Sequence, residues 1–75
     1  MSYNVIDRDG NPVAKGTRIT DFRGNPAWFV SVSRGPEYNG TAMVITVRDE
    51  DDLTDPFRGR ESYAQVFDLT VSPNP

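Results

Sequence analysis

The chain has 75 residues, eleven acidic and eight basic groups, and a net charge of −3. That is one domain, too short to hold a deep pocket beside a core, and it buries only about 60–65% of the surface its unfolded form exposes. With no Cys and no His it can form no disulfide, and it lacks the commonest metal ligand and the usual general base near neutral pH.

No window repeats apolar residues at helical spacing, and six Pro and six Gly break the chain into short runs rich in Val, Ile, Thr, Phe and Trp. Such runs read as short strands. Five are expected in chain order: 3–7, 16–22, 27–33, 41–49 and 66–71. The third alternates Trp28, Val30 and Val32 against Phe29, Ser31 and Ser33. Period-2 alternation puts one set inward. Trp28 is therefore read as core or half-core, and Phe29 as covering a barrel end or lying exposed. The fourth alternates Met43, Ile45 and Val47 against Ala42, Val44 and Thr46, and the fifth Phe67, Leu69 and Val71 against Asp68 and Thr70. SYAQ at 62–65 reads as a single 3₁₀ turn before the last strand. The closing SPNP is expected to stop pairing, because Pro donates no ladder hydrogen bond, so residues 72–75 read as a flexible tail. The expectation is an all-β domain spanning 1–75. It is a small five-stranded antiparallel SH3-like barrel, with an OB-like barrel as the alternative, since closure limits free edges.

The pattern D-x-x-G-N-P occurs twice, at 7–12 and 21–26. Asp7 and Asp21 can accept from amides further along a turn, Gly10 and Gly24 tolerate positive φ, and Pro pushes the preceding Asn to an extended conformation. Calcium is the sharper alternative, since Asp7, Asp9 and Asn11 take positions 1, 3 and 5 of a ligand loop. Positions 6 and 12, however, hold Pro12 and Arg18 rather than Gly and Glu. The reading is one turn chemistry used twice, without metal. Asn39-Gly40-Thr41 matches the glycosylation pattern and is read as a turn that matches by chance.

The surplus negative charge is concentrated. Residues 48–61 carry six acids against three bases, whereas 1–47 carry four against five. Asp49, Glu50, Asp51, Asp52 and Asp55 form the densest cluster, read as a solvated loop or as a docking loop for a basic partner. Arg58 and Arg60 are expected to pair with these acids. Tyr38 and Phe57 fall in connections, where exposed aromatics mark contact sites. Phe67 is expected in the core, and Tyr3 and Tyr63 at strand ends.

No catalytic constellation is present. There is no triad and no G-x-x-x-x-G-K-[ST] phosphate loop, and nothing singles out a carboxylate pair. The chain is therefore expected to be a non-enzymatic binding module without a cofactor, docking on a protein partner through Tyr38, Phe57, Asp49, Glu50, Asp51, Asp52 and Asp55. Self-association through a free edge strand is a variant. The alternative is a nucleic-acid-binding barrel using Arg18, Arg23, Arg34 and Arg48 with nearby aromatics. A sequence pI near 4.6 disfavours it. The first residues show no apolar run behind a basic start, and the longest apolar stretches, AWFV and AMVI, are too short to span a bilayer. The expected location is cytoplasmic, with no membrane association.

The stretch K-G-T-R-I-T-D-F-R-G-N-P-A-W, from Lys15 to Trp28, resembles the entry of SH3-like barrels of the KOW type, with Gly16, Ile19 and Gly24 at framework positions. Together with the distal V-F-D-L-T-V it also resembles small uncharacterised proteins encoded by actinobacterial phages, which implies the host cytoplasm as location. The likeness covers about residues 13–33 and 62–71. It implies a fold and an origin and carries no functional residues. KOW domains are typically basic and bind RNA or polymerase-associated proteins, whereas this chain is acidic.

Overall fold

The computed structural model describes residues 2–37 and 40–74. These residues form six strands: β1 (Tyr3–Ile6), β2 (Arg18–Thr20), β3 (Pro26–Arg34), β4 (Met43–Val47), β5 (Arg60–Tyr63) and β6 (Thr70–Pro73). Two 3₁₀ helices, Glu50–Thr54 and Ala64–Phe67, precede β5 and β6, and no α-helix occurs among the described residues. Every ladder is antiparallel. β2, β3, β4 and β5 form one sheet in that order, and β1 pairs with β6 in a second.

The two copies of D-x-x-G-N-P fold alike. In the first, Asp7 Oδ1 accepts from the Asp9 and Asn11 amides, both at 2.9 Å, and the Gly10 amide donates to the Asp7 carbonyl. In the second, Asp21 Oδ1 accepts from the Arg23 and Asn25 amides, both at 2.8 Å, and the Gly24 amide donates to the Asp21 carbonyl. Gly10 and Gly24 sit at φ +82° and +84°, a region that a side chain resists. In each copy the Asp amide also donates to the carbonyl of the Asn before Pro, at 3.0 Å, closing the loop at both ends. The first turn folds the chain back on β1: the Val13 amide donates to the Val5 carbonyl at 2.8 Å. The second connects β2 to β3 and docks on the second 3₁₀ helix through the Phe22 amide and the Val66 carbonyl.

The core draws on both sheets. Val5 and Val71, cross-strand partners, meet Ile19, Ala27, Phe29 and Val44 of the larger sheet, and Ala64, Phe67 and Leu69 complete it. Val44 is wholly inaccessible and Phe29 is only 4% exposed.

Phe29 corrects the expected phase of the third strand. Ala27 and Phe29 point inward, while Trp28 and Val30 are half-buried on the other side. The β3–β4 register shifts between Phe29 and Ser31. The extra residue resets the alternation, so Val32 packs against the same core as Phe29 although the two are three apart. On β4, Val44 and Thr46 face the core. Val47, on the other face, is covered separately by the first 3₁₀ helix, which packs on β3 and β4.

Three further expectations change. Among the described residues the strands number six rather than five, and they form two sheets rather than one closed barrel. The additional strand, β5, has the sequence RESY and extends the meander from β4. The 3₁₀ turn expected at 62–65 lies two residues later, at Ala64–Phe67, so residues 66 and 67 are helical rather than the start of the last strand, and Asp68 follows in the left-handed region at φ 55°. Phe67, Leu69 and Val71 are nonetheless all buried, as the alternation requires. Finally, SPNP does not stop pairing. Ser72 and Pro73 pair with Asn4 and Tyr3, and the Asn74 amide donates to the Ser2 carbonyl. β6 has a partner on one side only, and an edge strand is where a missing proline N–H is tolerated.

Candidate functional site

The acidic stretch is ordered into a short helix above the outer face of the larger sheet. Asp49 is its extended N-cap, and Glu50, Asp51 and Asp52 fill its first turn, where carboxylates are favoured beside free amides. The Asp52 amide donates to the Asp49 carbonyl and the Asp55 amide to the Asp52 carbonyl. Leu53 is the one apolar residue of the helix, and it shares an open groove of about 400 Å³ with Val30, Ile45 and Val47. Asp55, Pro56 and Gly59 extend the wall on one side and Lys15 contributes a cation. The groove is therefore apolar along the sheet, with Asp55 and Lys15 as its charged edge residues, and the acids of the overlying helix stand nearby in sequence.

The chain leaves this helix through a turn that presents Phe57. Asp55 holds the turn: its Oδ1 accepts from the Phe57 amide at 2.9 Å, and its carbonyl from the Arg58 amide at 3.2 Å. Arg58 Nε lies 3.8 Å from Asp55 Oδ2. Phe57 itself is 92% exposed. Gly59 then brings the chain tight against β4, where a Cβ would lie 2.7 Å from Ile45 Cγ2.

Thus Phe57 and the acids at 49–52 and 55 lie in one stretch of surface beside the groove, as their closeness in sequence suggests. Tyr38 lies outside the described residues, as does Asn39 of the glycosylation pattern. Arg58 pairs with an acid as expected. Arg60 does not: it sits on the other face of the sheet, opposite Thr46. The groove residues Val30, Ile45 and Leu53 were not distinguished by sequence, because only the cross-strand register and the overlying helix bring them together.

The four arginines of the alternative are dispersed. Arg18 pairs in register with Trp28, its guanidinium 6.0 Å from the ring centroid. Arg23 lies 5.3 Å over the ring of Phe22, on the second turn. Arg34 is opposite Met43, at the far end of β3 from Trp28 and its partner Val47. Arg48 lines a separate groove on the core-facing side.

The Asn25 amide holds the Asp21 carboxyl below the usual carboxylate range; desolvation, the next-largest effect, opposes it, and the Arg23 amide, the Asn25 side chain and the Arg23 charge add smaller lowering effects. No three acids converge as a metal site among the described residues. No helix among them is long and apolar enough to cross a membrane. Comparisons with protein-family models, with curated proteins and with solved structures found no match.

Proposed function

We propose that this chain is a non-enzymatic binding module of SH3-like architecture that docks on a protein partner through the surface around Phe57. The architecture is supported by three features: the pairing of the chain's two ends as β1 and β6, the meander between them, and the 3₁₀ helix just before the last strand. The observation that carries the function is Phe57, 92% exposed on a turn braced by its neighbour Asp55. A braced aromatic loses little conformational freedom on binding, and this is what makes such residues effective anchors. Beside it lies an apolar groove edged by Asp55, and the 3₁₀ helix that supplies Leu53 to this groove also carries the carboxylates of Asp49–Asp52.

This chemistry selects a segment with aliphatic side chains for the groove and Lys or Arg for the acids. The nucleic-acid reading has less support, because its four arginines do not share a face.

The test is selection from a displayed library of random dodecapeptides. Recovered sequences should be enriched in Lys or Arg next to aliphatic residues. Phe57→Ala and a double Asp51→Asn, Asp52→Asn variant should each lose them, while Arg34→Gln retains them. Peptides that bind the Phe57→Ala protein undiminished would overturn the reading.

A further inference from the structure

A second groove, of about 510 Å³, opens on the core-facing side of the larger sheet, between the second turn, β4 and β5, and the second 3₁₀ helix. Its walls bring together Arg48 at the end of β4, Arg60 and Ser62 of β5, Asp21 of the second turn, and Val66 and Phe67 of the second 3₁₀ helix. Arg60 is the cross-strand partner of Thr46, and Arg48 lies two residues beyond Thr46. Arg48 stands just past the end of β4, and both arginines line the same groove.

Neither guanidinium has an ion-pair partner among the described residues, whereas Arg8 pairs with Asp68 at 2.8 Å and Arg58 with Asp55. Acids outnumber bases in this chain, yet these two cations stand together unpaired. Like charges brought into one groove repel each other. Asp21 is the one carboxylate lining the groove, and it is already engaged. Its Oδ1 takes two backbone amides and its Oδ2 takes Asn25 Nδ2 at 3.3 Å. The groove therefore holds two cations against one carboxylate whose oxygens are already hydrogen-bonded, a neighbouring hydroxyl donor at Ser62, and apolar walls.

We propose that this groove binds a small phosphate monoester, with the phosphate held between Arg48 and Arg60 and an apolar or ring-bearing body against Val66 and Phe67. Phosphate is favoured over carboxylate because one guanidinium fork satisfies a carboxylate, whereas two from different strands can share a tetrahedral oxyanion. The volume lies within the range of small-molecule sites. The site is independent of the Phe57 surface, which lies on the opposite side of the sheet.

Amide chemical shifts of labelled protein at low salt read the binding, with phenyl phosphate, inorganic phosphate and benzoate as probes. Phenyl phosphate should give saturating shifts at Thr46–Arg48 and Arg60–Ser62. Inorganic phosphate should shift the same amides more weakly, and benzoate should bind about tenfold more weakly than phenyl phosphate. Arg48→Gln and Arg60→Gln should each weaken phenyl phosphate about tenfold, the loss of one charge-assisted contact. Arg34→Gln should leave it unchanged. A well-dispersed spectrum for each exposed-arginine variant certifies its fold. Benzoate binding as tightly as phenyl phosphate would overturn the assignment to phosphate. Shifts that match those from sodium chloride at equal ionic strength would overturn the site, as would an equal loss in Arg34→Gln. Binding of a short oligonucleotide without binding of phenyl phosphate would count against a small ligand.

Discussion

Replacing Phe29 by Ala tests the packing of β3, and replacing Trp28 by Ala provides the control. The larger side chain is the less important one here. Phe29 is 4% exposed among Val5, Ile19 and Val44, whereas Trp28 is half-buried on the opposite face with Arg18 beside its ring. Truncating a buried Phe costs about 3–5 kcal/mol. A chain of this length has roughly 4–11 kcal/mol of stability in total, so Phe29→Ala brings it close to unfolding in water. Trp28→Ala loses part of a hydrophobic contact and a cation–π interaction worth about 0.5–1 kcal/mol at an exposed site, and should cost roughly 1–2 kcal/mol. Urea titration followed by far-ultraviolet circular dichroism measures both, independently of the tryptophan signal. With a slope near 1 kcal/mol per molar, toward the low end for small proteins, the two midpoints should differ by about 1–4 M. A Trp28→Ala variant as unstable as Phe29→Ala would refute the reset of alternation at the bulge.

Gly59→Ala places a methyl group against Ile45 Cγ2; it should cost about 1–3 kcal/mol and lower the urea midpoint, unlike an alanine at the neighbouring exposed Arg58. Phe57→Ser should leave thermal stability within about 0.5 kcal/mol while abolishing capture of the selected peptides, a separation that calorimetry and a binding assay read together. Because the Asp21 carboxyl is held below its ordinary range, its contribution is fully present above the unfolded value near 4 and is lost as pH falls through the lower folded value. Acid titration should therefore show Asp21 ionising below the ordinary aspartate range by carboxyl-carbon NMR, with exchange protection of the Arg23 and Asn25 amides lost over the same interval; titration of Asp21 at the ordinary value would contradict this.

What could be read from sequence divides along the range of the interaction. The repeated turn was legible because its hydrogen bonds run from Asp to amides two and four residues on, and its glycines answer a local φ requirement. The burial of Phe67, Leu69 and Val71 was legible from alternation even though the backbone there is part helix and part strand. The phase of β3 was not, because the residue that resets it is an irregularity of the β3–β4 pairing, which no window of one strand contains. β5 escaped because RESY has no apolar alternation; it is a strand by virtue of the β4 edge it joins. At the candidate site, the acids and Phe57 were legible as neighbours in sequence. The groove beneath them was not, since Leu53 reaches Val30, Ile45 and Val47 only after the first 3₁₀ helix folds over the sheet. Arg60 was expected among the acids of its own segment, but the pleat turns it to the face of Thr46 and Arg48.

The docking account meets its most direct test in methyl-resolved NMR of the labelled protein titrated with a selected basic, aliphatic peptide. The account predicts shifts confined to the methyls of Val30, Ile45, Val47 and Leu53 and to the Phe57 ring, with intermolecular contacts from the peptide's aliphatic side chains to the groove. Contacts on the core-facing groove of Arg48 and Arg60, or a spectrum that stays unchanged at the Phe57 turn, would contradict it.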